Sequence, residues 1–143
     1  MAPDAGYSPA PLPRKLGIKP GDAVAVLGGP ASVTDGLGRL PGVEPPRREL
    51  SGRDPLDVIV FFVTWRSELE AGLGRLRERM APACGLWVAW PKRAARVPTD
   101  MTEDVVRDVA LPTGLVDNKV CAIDEVWSGL RLVIRRELRP PTV

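Results

Sequence analysis

The run Asp57-Val-Ile-Val-Phe-Phe-Val-Thr-Trp65 limits the architecture more than any other stretch of the chain. Val58 to Val63 are consecutive apolar residues, β-branched or aromatic, with no period-two alternation. A strand that shows one face to water alternates. A strand without alternation is buried on both faces, as in the middle of a parallel sheet covered by helices. Asp54 and Pro55 set its start, and the other elements can be arranged as layers around it.

Upstream, Pro20-Gly21 punctuates a turn into a short apolar strand, Ala23 to Leu27, which ends in Gly28-Gly29-Pro30. Strand, glycines and a helix over Ala31 to Leu40, closed by Pro41-Gly42, open a βαβ unit. Gly36 and Gly38 weaken that helix. Val43 to Leu50, interrupted by Pro45 and Pro46, reads as a poor strand at a sheet edge. Downstream, Leu69, Leu73, Leu76 and Met80 form one stripe of a helix over Ser67 to Met80. Ser67 with Glu70 has the pattern of a capping box. Arg75, Arg77 and Arg79 fall on its solvated side.

Gly85 to Trp90 is a second buried strand, closed by Pro91-Lys92. Either Thr102 or an Asp100/Glu103 box caps the next helix, which runs to Ala110 before Pro112 and Gly114. Val116 to Val126 and Leu130 to Glu137 are strand-like and are joined through Trp127-Ser128-Gly129 as an antiparallel hairpin. The hairpin is expected to place a strand beside Gly85 to Trp90. The fold class is therefore α/β and Rossmann-like, a mostly parallel sheet with helices on both faces and a C-terminal antiparallel hairpin. Residues 14–137 form the single domain, flanked by a Pro-rich arm over 1–13, which Tyr7 can pin by packing its ring, and a loose tail over 138–143.

Composition excludes much chemistry. The chain has no histidine, so a Ser-His-Asp triad, an imidazole base and a His-ligated metal have no residue to supply them. Its two cysteines, Cys84 and Cys121, make no Cys-x-x-Cys motif and read as reduced, buried thiols of a cytoplasmic protein; no metal site is expected. Twenty basic and 18 acidic residues leave a net charge of +2, against a nucleic-acid partner. No apolar run reaches the roughly 20 residues a membrane span needs.

The element order, with the lead-in Leu16-Gly-Ile-Lys-Pro-Gly-Asp-Ala-Val24 and the later strand Gly85-Leu-Trp-Val88, resembles the Rossmann-like S-adenosylmethionine-dependent methyltransferases over about 16–137. A closer resemblance is to the bacterial domain of unknown function (DUF) 3052 family, through 11–21, 86–92, 97–107 and Val120-Cys-Ala-Ile-Asp-Glu-Val-Trp-Ser-Gly-Leu130. That family implies the fold unit and no particular activity. The methyltransferase resemblance implies a first loop of acidic-x-Gly-x-Gly. Here Val26 stands at the acid's place, and Gly28-Gly29-Pro30 replaces the alternating glycines, with Pro30 lacking an N–H. Glu49 is the one acid spaced to hold a ribose.

Ligands of open α/β sheets bind beyond the carboxyl ends of the strands. Gly28, Gly29, Thr64, Trp65, Arg66, Trp90 and Lys92 are the ligand-binding candidates gathered there. Two tryptophans beside two cations could hold a nucleotide or an anionic planar molecule. The competing reading is that Trp65 and Trp90 close the core while Arg66 and Lys92 reach to water. Asp124 and Glu125 are acidic candidates for a base, set against the plainer role of a hairpin turn. No catalytic residue is assigned. We read the chain as a methyltransferase-like module that has lost catalysis, needs no cofactor and acts on a small anionic ligand or a protein partner. The alternatives are an active enzyme using S-adenosylmethionine or a nucleotide, and nucleic-acid binding through Arg66, Lys92, Arg93 and Arg96.

Overall fold

The structure, a computed structural model, describes residues 11–37 and 46–139. Tyr7 and the rest of the arm over 1–10, the helix end and stop signal at 38–42, residues 43–45 of the edge segment and the tail over 140–143 lie outside the described residues. The elements are α1 (Leu12–Lys15), β1 (Val24–Leu27), α2 (Ala31–Leu37), β2 (Leu56–Phe62), α3 (Arg66–Arg79), β3 (Met80–Pro91), α4 (Glu103–Ala110), β4 (Leu115–Ala122) and β5 (Trp127–Ile134).

The strands form one sheet in the order β1-β2-β3-β5-β4. β1 pairs β2 and β2 pairs β3 in parallel, whereas β5 runs antiparallel to both β3 and β4. Four strands therefore share one direction and β5 alone is reversed. The α/β class, the interior place of β2 with both faces covered, and the pairing of the hairpin with β3 all agree with the sequence; the middle strand of the five is β3 and not the Val58 to Val63 run.

Burial alternates along the strands and divides the core into two layers. Ala25, Ile59, Leu86, Val88 and Trp90 face Leu69, Leu73 and Leu76 of α3 and Val106 and Ala110 of α4. Val24, Val26, Val58, Val60, Phe62, Trp87 and Ala89 face the other way, against Leu16, Ile18 and Val33. Both faces of β2 and β3 are thus removed from water, which explains their unbroken apolar runs. On the second face the indole Nε1 of the fully buried Trp87 donates to the Leu16 carbonyl at 3.1 Å, fastening the α1 turn to the sheet. α1 itself is not visible in the sequence pattern: it is a single turn between prolines, with Pro13 in its first positions.

Several local expectations are corrected. α3 begins one residue early, and its cap is Glu68, whose Oε1 accepts from the N–H groups of both Thr64 and Trp65 at 2.9 Å; Ser67 lies inside the first turn, so the Ser67/Glu70 box does not form. For α4, Thr102 is the cap, accepting from Val105 at 3.1 Å, while Asp100 bonds elsewhere. The hairpin turn falls at 123–126, because Asp124 Oδ1 accepts from Val126 and Trp127 at 2.8 Å each. Trp127, Ser128 and Gly129 belong to β5. A Cβ at Gly129 would meet Ile123 at 3.0 Å and Trp87 at 3.2 Å, so this glycine marks a close approach and not a turn.

Among the described residues of the edge segment, 46–50, one parallel bridge forms between Arg47 and Ala25, in which Val26 donates to the Arg47 carbonyl and Arg47 to that of Val24. Pro46 before it has no N–H to continue a ladder. A doubly wound sheet carries further strands on this flank of its first strand. Among the described residues, that flank of β1 holds the Arg47 bridge alone.

Candidate functional site

The carboxyl ends of β1 and β2 lie side by side, Leu27 registering with Phe61. After β1 the chain reverses through Gly28 (φ +74°) and Gly29 (φ +78°), backbone that side chains other than glycine rarely adopt. A Cβ on Gly29 would lie 2.5 to 2.7 Å from the Phe62 ring, and one on Gly28 3.4 Å from the Phe62 carbonyl oxygen. Phe62 is itself held edge-on against Trp127, ring centroids 5.0 Å apart. The glycine turn is thus seated on an aromatic ring that has little room to withdraw.

The end of β2 is engaged as well. Beyond the Glu68 cap on Thr64 and Trp65, the Arg66 N–H donates to Asp100 Oδ1 at 2.7 Å, and the Thr99 hydroxyl donates to the Thr64 carbonyl. The loop before α4 therefore fastens onto the tip of β2 and uses its exposed backbone groups.

The two tryptophans do not form a joint wall. Trp90 is 7% exposed and belongs to the α3/α4 layer of the core, whereas Trp65 is 45% exposed at the head of α3. Nor is Arg66 an uncommitted cation, since its guanidinium meets Glu70 at 3.5 Å and Asp108 at 4.0 Å. Lys92 is half-buried, and its N–H donates to the Val126 carbonyl at 2.7 Å, joining the end of β3 to the hairpin turn. Asp124 is occupied by the turn it builds, and Glu125 projects into water. The geometry gathers Gly28, Gly29 and Thr64 near one edge but leaves Trp90 and the acidic pair in structural positions.

Sequence reasoning passed over a cleft of about 460 Å³ on the α3 side of the same edge, lined by Leu27, Glu49, Leu50, Ser51, Phe61, Gly72, Arg75 and Leu76. Its walls are aliphatic and aromatic, with Glu49, Ser51 and Arg75 as the polar groups, the ordinary make-up of a small-molecule site. Gly72 admits the Phe61 ring, which would stand 2.8 Å from a Cβ there. Arg79, taken as a solvated residue, instead donates to the carbonyls of Leu50, Ser51 and Asp54 at 3.0 to 3.3 Å and fixes the far lip of the cleft. The signal was absent from the sequence because the Arg79 acceptors are backbone atoms.

Thiol chemistry is poorly served. Burial, then the Asp57 charge, pushes the Cys84 thiol up to about 12. Burial also raises that of Cys121, against the opposing charges of Lys15 and Lys119. Both cysteines are unpaired. Among the described residues no group of three or more Cys, Asp or Glu is placed to hold a metal ion, and no helix is long and apolar enough to cross a membrane.

No protein-family model matches the sequence, and no curated protein matches it. Solved structures do match in shape. The ribosomal protein L11 methylase of Lactobacillus delbrueckii subsp. bulgaricus superposes with a TM-score of 0.58 at 10% identity, over 87% of this chain and 75% of that one. The mitomycin 7-O-methyltransferase MmcR gives 0.60 at 15% identity, over 80% of this chain and half of its own length. The magnesium protoporphyrin IX methyltransferase (ChlM) of Synechocystis PCC 6803, solved with bound S-adenosylmethionine, gives 0.54 at 11% identity, over 80% and 71%. These likenesses fall where sequence no longer carries function, and they establish one thing: the chain has the Rossmann-like fold of methyltransferases.

Proposed function

We infer that this chain is a cytoplasmic, non-catalytic binding module on a methyltransferase-like scaffold, related to the DUF 3052 proteins, that senses a small anionic ligand or engages a protein. The observation that carries this reading is the state of the carboxyl edge. The amides of Thr64, Trp65 and Arg66 are bonded to Glu68 and Asp100, and Phe62 fills the space above Gly29. An adenosyl cofactor lying across that edge needs bare backbone to approach, and these residues do not fit it. We therefore route no reaction through such a group. The cleft beside β1 supplies an apolar wall and, in Arg75, a cation for an anionic ligand.

Isothermal titration of S-adenosylmethionine into the full chain tests the reading. No saturable binding up to about 1 mM is expected, the range where affinity falls to about 4 kcal/mol. A second reading, an active S-adenosylmethionine enzyme, draws on Glu49, which lines the cleft close after the Arg47 bridge, where a ribose-holding acid belongs. Micromolar binding that Glu49→Gln abolishes would count against the first reading and favour the second.

A further inference from the structure

On the second face of the sheet, away from the edge just described, the α1 turn and the β4–β5 ribbon enclose a cleft of about 400 Å³. Arg14, Lys15, Lys19, Lys119, Arg131 and Asn118 line it, and no acidic side chain does. In a chain whose formal charge is only +2, five cations on one cleft are a local concentration and not a general surplus.

The backbone is shaped to produce this cluster. Lys119 and Arg131 are direct cross-strand partners on β4 and β5. Like charges in that relation repel. Along an undisturbed strand, Lys119 would share a side with Asp117, two residues earlier. The register shifts between Asp117 and Lys119, with Asn118 as the extra residue, so Asp117 reaches Arg107 on α4 at 3.1 Å while Lys119 turns to the other face. There Lys119 Nζ donates to the Lys15 carbonyl at 3.2 Å. Such bulges re-aim side chains beside functional sites.

Gly85 contributes in the same way: a Cβ there would sit 2.5 Å from Arg131 Nε, so its absence lets the guanidinium lie along the sheet. Arg14, Lys19, Lys119 and Arg131 enter no ion pair among the described residues. The buried Lys15 donates to the Ala122 carbonyl at 3.2 Å. Asp22 and Asp57, whose charges act on Cys84 together with Arg131, are committed to the backbone N–H groups of Lys19 and Ala23 at 2.8 Å.

We propose that this cleft binds a small polyanion carrying two or more linked phosphate groups, and that such a ligand relieves the repulsion between Lys119 and Arg131. The lining has no aromatic side chain on which a base could stack, which argues for recognition of the phosphate chain itself and against single-stranded nucleic acid. The proposal goes beyond the reading of the β1 cleft and is independent of it, because no residue is shared between the two linings.

Calorimetric titration of the full chain with inorganic tripolyphosphate, ATP, sulfate and a single-stranded DNA oligonucleotide tests it. Tripolyphosphate is expected to bind saturably, more weakly as salt rises, and at least ~10-fold more weakly in Lys119→Gln and in Arg131→Gln, with Lys119→Arg retaining binding. Equal binding of ATP and tripolyphosphate supports an inorganic polyphosphate; tighter ATP binding supports a nucleotide. Unliganded Lys119→Gln should melt at or above the wild-type temperature, which loss of a merely structural lysine would not produce. Arg14→Gln and Lys19→Gln, at exposed positions, provide the same comparison if a strand variant fails to fold. The proposal is overturned by absence of saturable tripolyphosphate binding, by binding that survives the Lys119→Gln/Arg131→Gln pair, by sulfate binding as tightly, or by DNA binding more tightly.

Discussion

Gly29 and Gly74 are chemically identical and structurally opposite. Gly29 combines φ +78° with a Phe62 ring inside contact distance, whereas a Cβ on Gly74, within α3, meets nothing within 4 Å. Gly29→Ala should therefore destabilise by about 2–3 kcal/mol, summing backbone strain and overpacking, while Gly74→Ala should stabilise by about 0.5–1 kcal/mol. Urea unfolding of the two variants decides both. Cys84 gives the corresponding prediction in pH. Its folded thiol titrates near 12, above the unfolded value of about 8.5–9, so its contribution is intact below that lower value and declines as pH rises toward 12. Between the two values the folded state holds the extra proton. Stability should then fall more steeply with pH in the wild type than in Cys84→Ala, by at most about 1.4 kcal/mol per pH unit. At pH 8 a thiol reagent should modify the half-buried Cys121 well before Cys84.

At the scale of elements, one carboxylate ties two amides of the hairpin turn, beside the backbone bonds that close it. Asp124→Ala releases two backbone N–H groups and should cost about 1–2 kcal/mol, with Asp124→Asn recovering part of it, as read by thermal unfolding. The same turn shows where sequence reading stops. Both strands of the hairpin and their placement beside β3 are legible from apolar runs, but Gly129 resembles turn punctuation when its role is to admit Trp87 and Ile123. α3 is legible from the Leu69, Leu73 and Leu76 stripe. Its cap is not, since the Ser67/Glu70 box depends on a start position that Glu68 moves by a residue. For the candidate site, the glycine turn and the tip of β2 fall where the strand pattern puts them. Whether Trp90 faces solvent or core is fixed by the phase of β3, which an unalternating run such as Gly85 to Trp90 conceals. The Arg79 brace and the cations beside α1 depend on contacts between distant segments, and local pattern carries no trace of them.

Across the whole molecule, support is uneven. β2, β3 and β5 have neighbours on both sides, whereas the outer flank of β1 is bonded through Arg47 alone among the described residues. Native-state hydrogen exchange should reflect this: the amides of Val60, Trp87, Val88 and Leu130 should exchange only on global unfolding, and those of β1 and α2 through smaller openings. Equal protection of β1 and β3 would mean that the flank is held by more than the Arg47 bridge. The extra residue in β4 has a consequence of another kind. One supernumerary amide, Asn118, lets a two-stranded ribbon carry different charge on its two sides: Asp117 matched to a helix on one, Lys119 aligned with Arg131 on the other. Inserting one residue between Arg131 and Leu132 would give Asn118 a partner, restore the period of two and bring Lys119 to the side of Asp117, merging the two sides into one self-neutralised stripe. The electrical asymmetry of the ribbon is thus stored as a count of residues, and drift in chain length can erase it with every charge still in place.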